Sequence, residues 1–144
     1  MSIKQLFAKK WAKRAVNNTN KWAQNPIATQ EKVLKILLQK AKNTAFGQDH
    51  GFAQIDSYED FVKQVPVRDY EGLRPYVDRV VAGEADILWP GKPRYFSKTS
   101  GTTSGVKYIP ISKESMPTHI KTAQNALFHY IHHSGNTSFV DGKM

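Results

Sequence analysis

The chain has 144 residues, the size of one domain, with 40% hydrophobic residues and no cysteine. The absence of cysteine excludes a disulfide framework, a thiolate zinc site, an iron–sulfur cluster and a cysteine nucleophile, and it fits a cytoplasmic location. No stretch approaches the roughly 18 consecutive apolar residues of a membrane span, and no signal-peptide segment is expected at the N-terminus.

The net charge of +9 is unevenly placed: residues 1–42 hold ten Lys/Arg against the single acid Glu31, whereas residues 43–144 carry eleven of each sign. A basic, acid-poor arm suits nucleic acid, an anionic membrane surface or a transit peptide, and it equally suits a solvated helix face. With Arg14 its only arginine and Ser2 its only serine, the arm does not read as a transit peptide.

Ile3, Leu6, Phe7 and Trp11 recur at helical spacing, with Lys4, Lys9, Lys10, Lys13 and Arg14 over much of the remaining circumference. This predicts an amphipathic helix over residues 2–17, continuing toward Trp22, with an apolar stripe that needs a body supplied by the chain or by a missing partner. Asn25-Pro26 supplies a cap and a proline at the first helical position, and Val33, Leu34, Leu37, Leu38 and Ala41 form the stripe of a second helix. Together they predict a basic helical hairpin over residues 1–50, closed by Asn43 to His50. Ser57-Tyr58-Glu59-Asp60 is a capping-box-like start for a short helix ending before Pro66. Asp69 caps a further helix running to Gly83, with Pro75 distorting its first turns.

Trp89-Pro90-Gly91-Lys92-Pro93 breaks the helical pattern, and Tyr95-Phe96 and Tyr108-Ile109-Pro110-Ile111 read as short strands flanking a loop. Ser112 opens a long helix with Met116, Ile120, Ala123, Leu127, Tyr130 and Ile131 on one face, ended by Gly135. Thr137 to Val140 reads as the start of a strand. The expected class is therefore α+β and mostly helical, and residues 51–144 form the region around the loop.

That loop carries the chemistry. Thr99 to Gly105 packs five hydroxyls and two glycines into seven residues, with Lys98 before it and Lys107 after it. Glycine lets backbone N–H groups turn toward an anion, hydroxyls add rotatable donors, and lysine adds a compact positive charge. A Walker A loop is excluded, because Gly101 and Gly105 are followed by a strand rather than by a helix. A solvated hairpin loop would show similar composition, and on composition alone it is the commoner meaning of such a segment.

Ser100-Gly101-Thr102-Thr103-Ser104-Gly105-Val106-Lys107 resembles the S-G-T-T-G-x-P-K phosphate loop of adenylate-forming enzymes, with Ser104-Gly105-Val106 in place of G-x-P. The flanking Trp89 to Thr99 and Tyr108 to Ser112, with Pro66 to Glu71 and Gly83-Glu84 upstream, resemble the bacterial branch of the auxin-responsive acyl-acid amido synthetase family. The resemblance implies an adenylate-forming ligase that uses ATP and Mg2+ to activate a carboxylic acid, and then joins the acyl group to an amino acid or amine. Coenzyme A or a protein thiol as acceptor is the neighbouring alternative. It implies ATP phosphate contacts at Ser100, Gly101, Thr102, Thr103, Ser104, Gly105 and Lys107, and it makes His119, on the helix after the loop, a candidate for the acyl substrate. Residues 1–144 would then be the N-terminal part of a large adenylation domain, a fragment inactive alone, with catalytic residues beyond Met144.

The alternative of another class is a non-enzymatic basic module that uses the arm to bind nucleic acid or an anionic membrane. His129 and His133 have metal-ligand spacing beside His132, but no H-E-x-x-H glutamate accompanies them. Imidazoles in a last turn suit the helix dipole, and no metal site is expected. Trp11, Trp22 and Trp89 are expected to pack in the core, and Glu59-Asp60 to serve a helix cap. The resemblance implies small-molecule partners, with no specific nucleic acid and no integral membrane association.

Overall fold

The computed structural model describes residues 2–99 and 105–142. Six α-helices and one two-stranded antiparallel sheet follow in the order α1 (Ile3–Ala23), α2 (Pro26–Ala41), α3 (Ala45–Asp49), α4 (Tyr58–Gln64), α5 (Tyr70–Val81), β1 (Tyr95–Thr99), β2 (Lys107–Ile111) and α6 (Ser115–Ser134), with 3-10 turns at Phe52–Gln54 and Ser138–Asp141. The expected mostly helical α+β class is what the chain adopts. It divides into two compact units, Met1–Ile27 with Met116–Met144, and Ala28–Ser115.

In the first unit, α1 begins with a full capping box: Ser2 Oγ accepts the Gln5 N–H, and the Gln5 side chain accepts the Ser2 N–H. The described residues do not supply the body that the apolar stripe needs. Ala8, Ala12 and Val16, at i, i+4 and i+8, are buried instead, and Ala8 and Ala12 pack with Ile131 of α6 together with Phe128 and Val140. Small side chains on that face let the backbone of α1 approach its neighbours closely. Ile3 (76% exposed), Phe7 (51%) and Trp11 (57%) keep half or more of their surface exposed, Trp11 meeting Phe128 edge-on, and Trp22 is also exposed, so the expectation of core packing for these two tryptophans is corrected. On α6 the expected face is likewise narrower: Ile131 is buried, while Ile120, Leu127 and Tyr130 are exposed.

The expected strand at Thr137–Val140 is a 3-10 turn. Asn136 Oδ1 accepts both the Ser138 N–H (3.0 Å) and the Ser138 hydroxyl (2.8 Å), and Val140 N–H donates to Thr137 O. This local side-chain closure turns the backbone away from an extended course. It also delivers Asp141 to the start of α1, where its carboxylate accepts from Ser2 Oγ (2.7 Å) and from Gln5 Nε2. A carboxylate at a helix N-terminus is further favoured by the dipole.

In the second unit, Thr44 is 1% exposed and joins two helices: its hydroxyl donates to Ala41 O at the end of α2 (2.7 Å) and accepts the Gly47 N–H of α3 (3.0 Å). Gly47 is required there by space, since a Cβ would sit 2.1 Å from Ala41 O. The N–H groups of Ala45 and Phe46 donate to Asp86 O and Ile87 O, tying α3 to the segment before the sheet. Ile55, Val77, Val80 and Ile87 are buried, as are Leu38 and Ala41. The His50 ring stacks on Phe46, its Nδ1 at 2.7 Å from Phe46 O, and Arg68 Nη1 donates to its Nε2 (2.7 Å).

Both predicted caps of this unit form. Asp69 accepts the Gly72 N–H at α5, and Pro75 lies within that helix. At α4, Ser57 Oγ accepts the Asp60 N–H (3.1 Å) and donates to the Asp60 carboxylate (2.8 Å). This hydroxyl bond is the main cause that holds the Asp60 carboxyl below the ordinary aspartate value. Ser57→Ala is expected to cost about 1 kcal/mol in a urea melt, the usual loss on truncating an N-cap. The Asp60 carboxyl should titrate at higher pH in the variant, read by NMR. A depressed carboxyl contributes stability above the ordinary aspartate range that is lost as pH falls through the depressed value, so the variant should show a weaker acid dependence over that window.

Candidate functional site

The sheet is a hairpin in which Tyr95 faces Ile111, Phe96 faces Pro110, Ser97 faces Ile109, Lys98 faces Tyr108 and Thr99 faces Lys107. The predicted strands are thus longer than their aromatic centres, and the last pair before the loop is Thr99 with Lys107. Ser100, Gly101, Thr102, Thr103 and Ser104 lie outside the described residues. Gly105 has φ +78° with nothing within 4 Å of where a Cβ would stand, so glycine serves backbone conformation here rather than space.

The start of α5 holds this hairpin. Tyr70, the first residue of the helix after its Asp69 cap, accepts the Tyr108 N–H through its hydroxyl (2.8 Å) and directs that hydroxyl toward Tyr108 O (3.4 Å). The N–H and C=O of one strand residue point to the same side, so the phenol covers the edge of β2 at one residue. Lys107 Nζ lies 5.4 Å from the centroid of the Tyr70 ring, and the Arg74 guanidinium lies 5.3 Å from it. Arg74 in turn grips Glu71 with two bonds, Nε to Oε2 (2.7 Å) and Nη2 to Oε1 (2.8 Å). That pairing is the main cause that lowers the Glu71 carboxyl, with the more distant charge of Lys107 adding to it, and it raises the Arg74 guanidinium further. Glu71 is therefore engaged by Arg74, and among the described residues Lys107 makes no salt bridge. A cation held against a ring and not neutralised by a carboxylate keeps its charge available to an anion.

Behind the hairpin, Asp86 (φ +58°) accepts the Gly91 N–H (2.7 Å), while Asp86 N–H donates to Gly91 O. Trp89, half-buried, donates its indole N–H to Glu114 (3.1 Å). The turn-rich segment predicted from Trp89-Pro90-Gly91-Lys92-Pro93 is thus held by the side chains of Asp86 and Glu114 and leads directly into β1.

A match to the GH3 family N-terminal domain extends over residues 15–143. The chain belongs to the GH3 family. An indole-3-acetic acid-amido synthetase, GH3.15 of Arabidopsis thaliana, is 35% identical over 89 residues, covering 60% of this chain and 15% of the relative. The 4-substituted benzoates-glutamate ligase GH3.12 of the same plant is 31% identical over 107 residues, covering 74% of this chain and 17% of the relative. A solved GH3.15 acyl acid amido synthetase in complex with 2,4-DB superposes with a TM-score of 0.76 at 26% identity, covering 85% of this chain and 22% of that one. The chain thus spans about a sixth of the length of these curated GH3 relatives.

Of the residues singled out from sequence, Gly105 and Lys107 stand where the hairpin leaves the loop, while His119 is exposed on the part of α6 that belongs to the other unit. His129 Nε2 lies 3.0 Å from Thr19 Oγ1, and His132 and His133 occupy the last turn of α6. Among the described residues no group of three or more His, Asp or Glu gathers as a metal site. Tyr70 and Glu71 belong to the stretch that carried the resemblance but were given no role in the site, and Arg74 was singled out by nothing; the i, i+3 spacing of Glu71 and Arg74 signals their pairing, but nothing local signals a contact from Tyr70 to position 108. Gly105→Ala is expected to cost about 1 kcal/mol in a denaturant melt, the strain of a left-handed residue alone, because the added methyl meets open space.

Proposed function

We propose that the protein expressed from the whole reading frame activates a carboxylic acid with ATP and transfers the acyl group to the amine of an amino acid. In this reading a carboxylate oxygen attacks the α-phosphorus, the α–β phosphoanhydride breaks, and pyrophosphate leaves. The amine then attacks the acyl carbonyl, AMP departs, and the amine loses a proton. The observation that carries the reading is the GH3 match across a chain whose hairpin brackets the hydroxyl-rich segment. Residues 1–144 would be the N-terminal part of the large adenylation domain, its task to hold ATP phosphates.

Negative charge grows on the departing pyrophosphate, and donors already in place stabilise it without reorganising. Ser100, Thr102, Thr103 and Ser104 would supply hydroxyl donors, Gly101 and Gly105 the backbone turns, and Lys107 a positive charge. A Mg2+ ion suits this donor set as a companion of the nucleotide, since Mg2+ is commonly held by substrate phosphates with few protein ligands. An amine acceptor is favoured over a thiol by the relatives' names, which are amido synthetases and a glutamate ligase. His119 remains a proposed acyl contact.

No helix among the described residues is long and apolar enough to cross a membrane, and we place the protein in the cytoplasm beside its ATP supply, with small molecules rather than nucleic acid as partners. ATP–pyrophosphate exchange with a panel of acids and Mg2+ tests the activating step. At least one acid should support exchange, and the Ser100→Ala/Thr102→Ala/Thr103→Ala variant should slow it by roughly two orders of magnitude or more with its melting transition unchanged. Exchange at the parent rate in that variant would leave the segment a solvated loop. The same protein should bind duplex DNA no more tightly than about 1 µM at physiological salt, the nonspecific level for a basic surface.

A further inference from the structure

We propose that Tyr70 is a positioning residue for the phosphate site, fixing through its hydroxyl the backbone at the exit of the loop and through its ring the charge of Lys107. The inference rests on the adenylation reading above and adds residues outside the loop to it. Tyr70 is itself held in place, because Asp69 caps α5 immediately before it. Its hydroxyl meets both backbone groups of Tyr108, one residue after Lys107. Slippage of β2 along β1 would break both contacts at once, so the phenol registers the strand that carries the lysine.

The ring acts on the side chain. Lys107 and Arg74 both lie against it, at 5.4 and 5.3 Å from its centroid. Arg74 is committed to Glu71 by a bidentate pair, which leaves Lys107 as the cation of this cluster without a salt bridge among the described residues. The ring contact restricts where the ammonium lies, yet it is weaker than a charge-assisted bond to a phosphate oxygen, so an arriving polyphosphate can take the ammonium over. Glu71 near Lys107 would compete for that charge were it not held by Arg74. The Glu71–Arg74 pair therefore protects the site from an internal carboxylate.

A double-mutant cycle tests this in the protein expressed from the whole reading frame, with KM for ATP and kcat read separately by pyrophosphate exchange. Tyr70→Leu, which removes hydroxyl and ring, should raise KM for ATP on the order of tenfold, and Tyr70→Phe, which keeps the ring, should raise it less. In a Lys107→Ala background the Tyr70→Leu step should shrink to about threefold or less, because the charge it positions is gone. An undiminished penalty in that background would show that Tyr70 does not act through Lys107 and would overturn the proposal. Should Tyr70→Leu fail to fold in a thermal melt, the cycle of Tyr70→Phe with Lys107→Ala decides on the same criterion. A parent protein inactive with every acid would instead remove the adenylation reading and this inference with it, whereas an active parent without coupling removes only the role of Tyr70.

Discussion

The hydrogen bond from the Tyr108 N–H to the Tyr70 hydroxyl is the constraint on which the hairpin beside the candidate site depends. A two-stranded hairpin by itself is marginal in water and leaves both of its outer edges unpaired. Here one side chain from the first turn of α5 covers the edge of β2 at the residue next to the loop lysine. Removing its partner would orphan a half-buried amide, at a cost of about 1–3 kcal/mol by the usual penalty for an unsatisfied polar group. The strand that follows the hydroxyl-rich segment is thus held by a contact between residues 38 apart in sequence, and the cap at Asp69 is its upstream determinant.

The same logic, a helix start fixed by a polar side chain and then used as an anchor, recurs elsewhere in the chain. Thr44 starts α3 while bonding the end of α2, which lets the first N–H groups of α3 reach Asp86 and Ile87. Ser2 and Gln5 cap α1 while gripping Asp141. Orphan donors at helix starts must be satisfied in any case; here the groups that satisfy them also hold distant segments. The cost is intolerance at crowded positions such as Gly47, where backbone atoms that cannot move aside already occupy the space of a side chain.

Much of this was legible in the sequence, because the signals are local. Ser57 and Asp69 announced their helices, Gly135 the end of the long one, and the aromatic pairs around the loop announced the strands. The buried face of α1 was not legible for a physical reason: periodicity weights large apolar residues, and Ile3, Phe7 and Trp11 outweigh Ala8 and Ala12 in any hydrophobic pattern. Close helix packing selects small residues instead, and only three-dimensional structure shows which arc meets a neighbour. Thr137 to Val140 was misread because its β-branched and aromatic residues suit a strand, while the Asn136 side chain closes a turn there. For the candidate site, Gly105 and Lys107 could be named from composition and order, but Tyr70 could not, since its role is a long-range contact.

We propose that Tyr70 docks the strand leaving a loop that grips ATP phosphates. Amide hydrogen exchange at Tyr108, followed in the protein expressed from the whole reading frame with and without Mg2+ATP, tests it most directly. The account predicts that this amide is protected in the free protein, although it faces away from β1, and that ATP slows it further together with the amides of Gly105 to Lys107. Exchange of Tyr108 at the rate of an unstructured amide, unchanged by ATP, would contradict it.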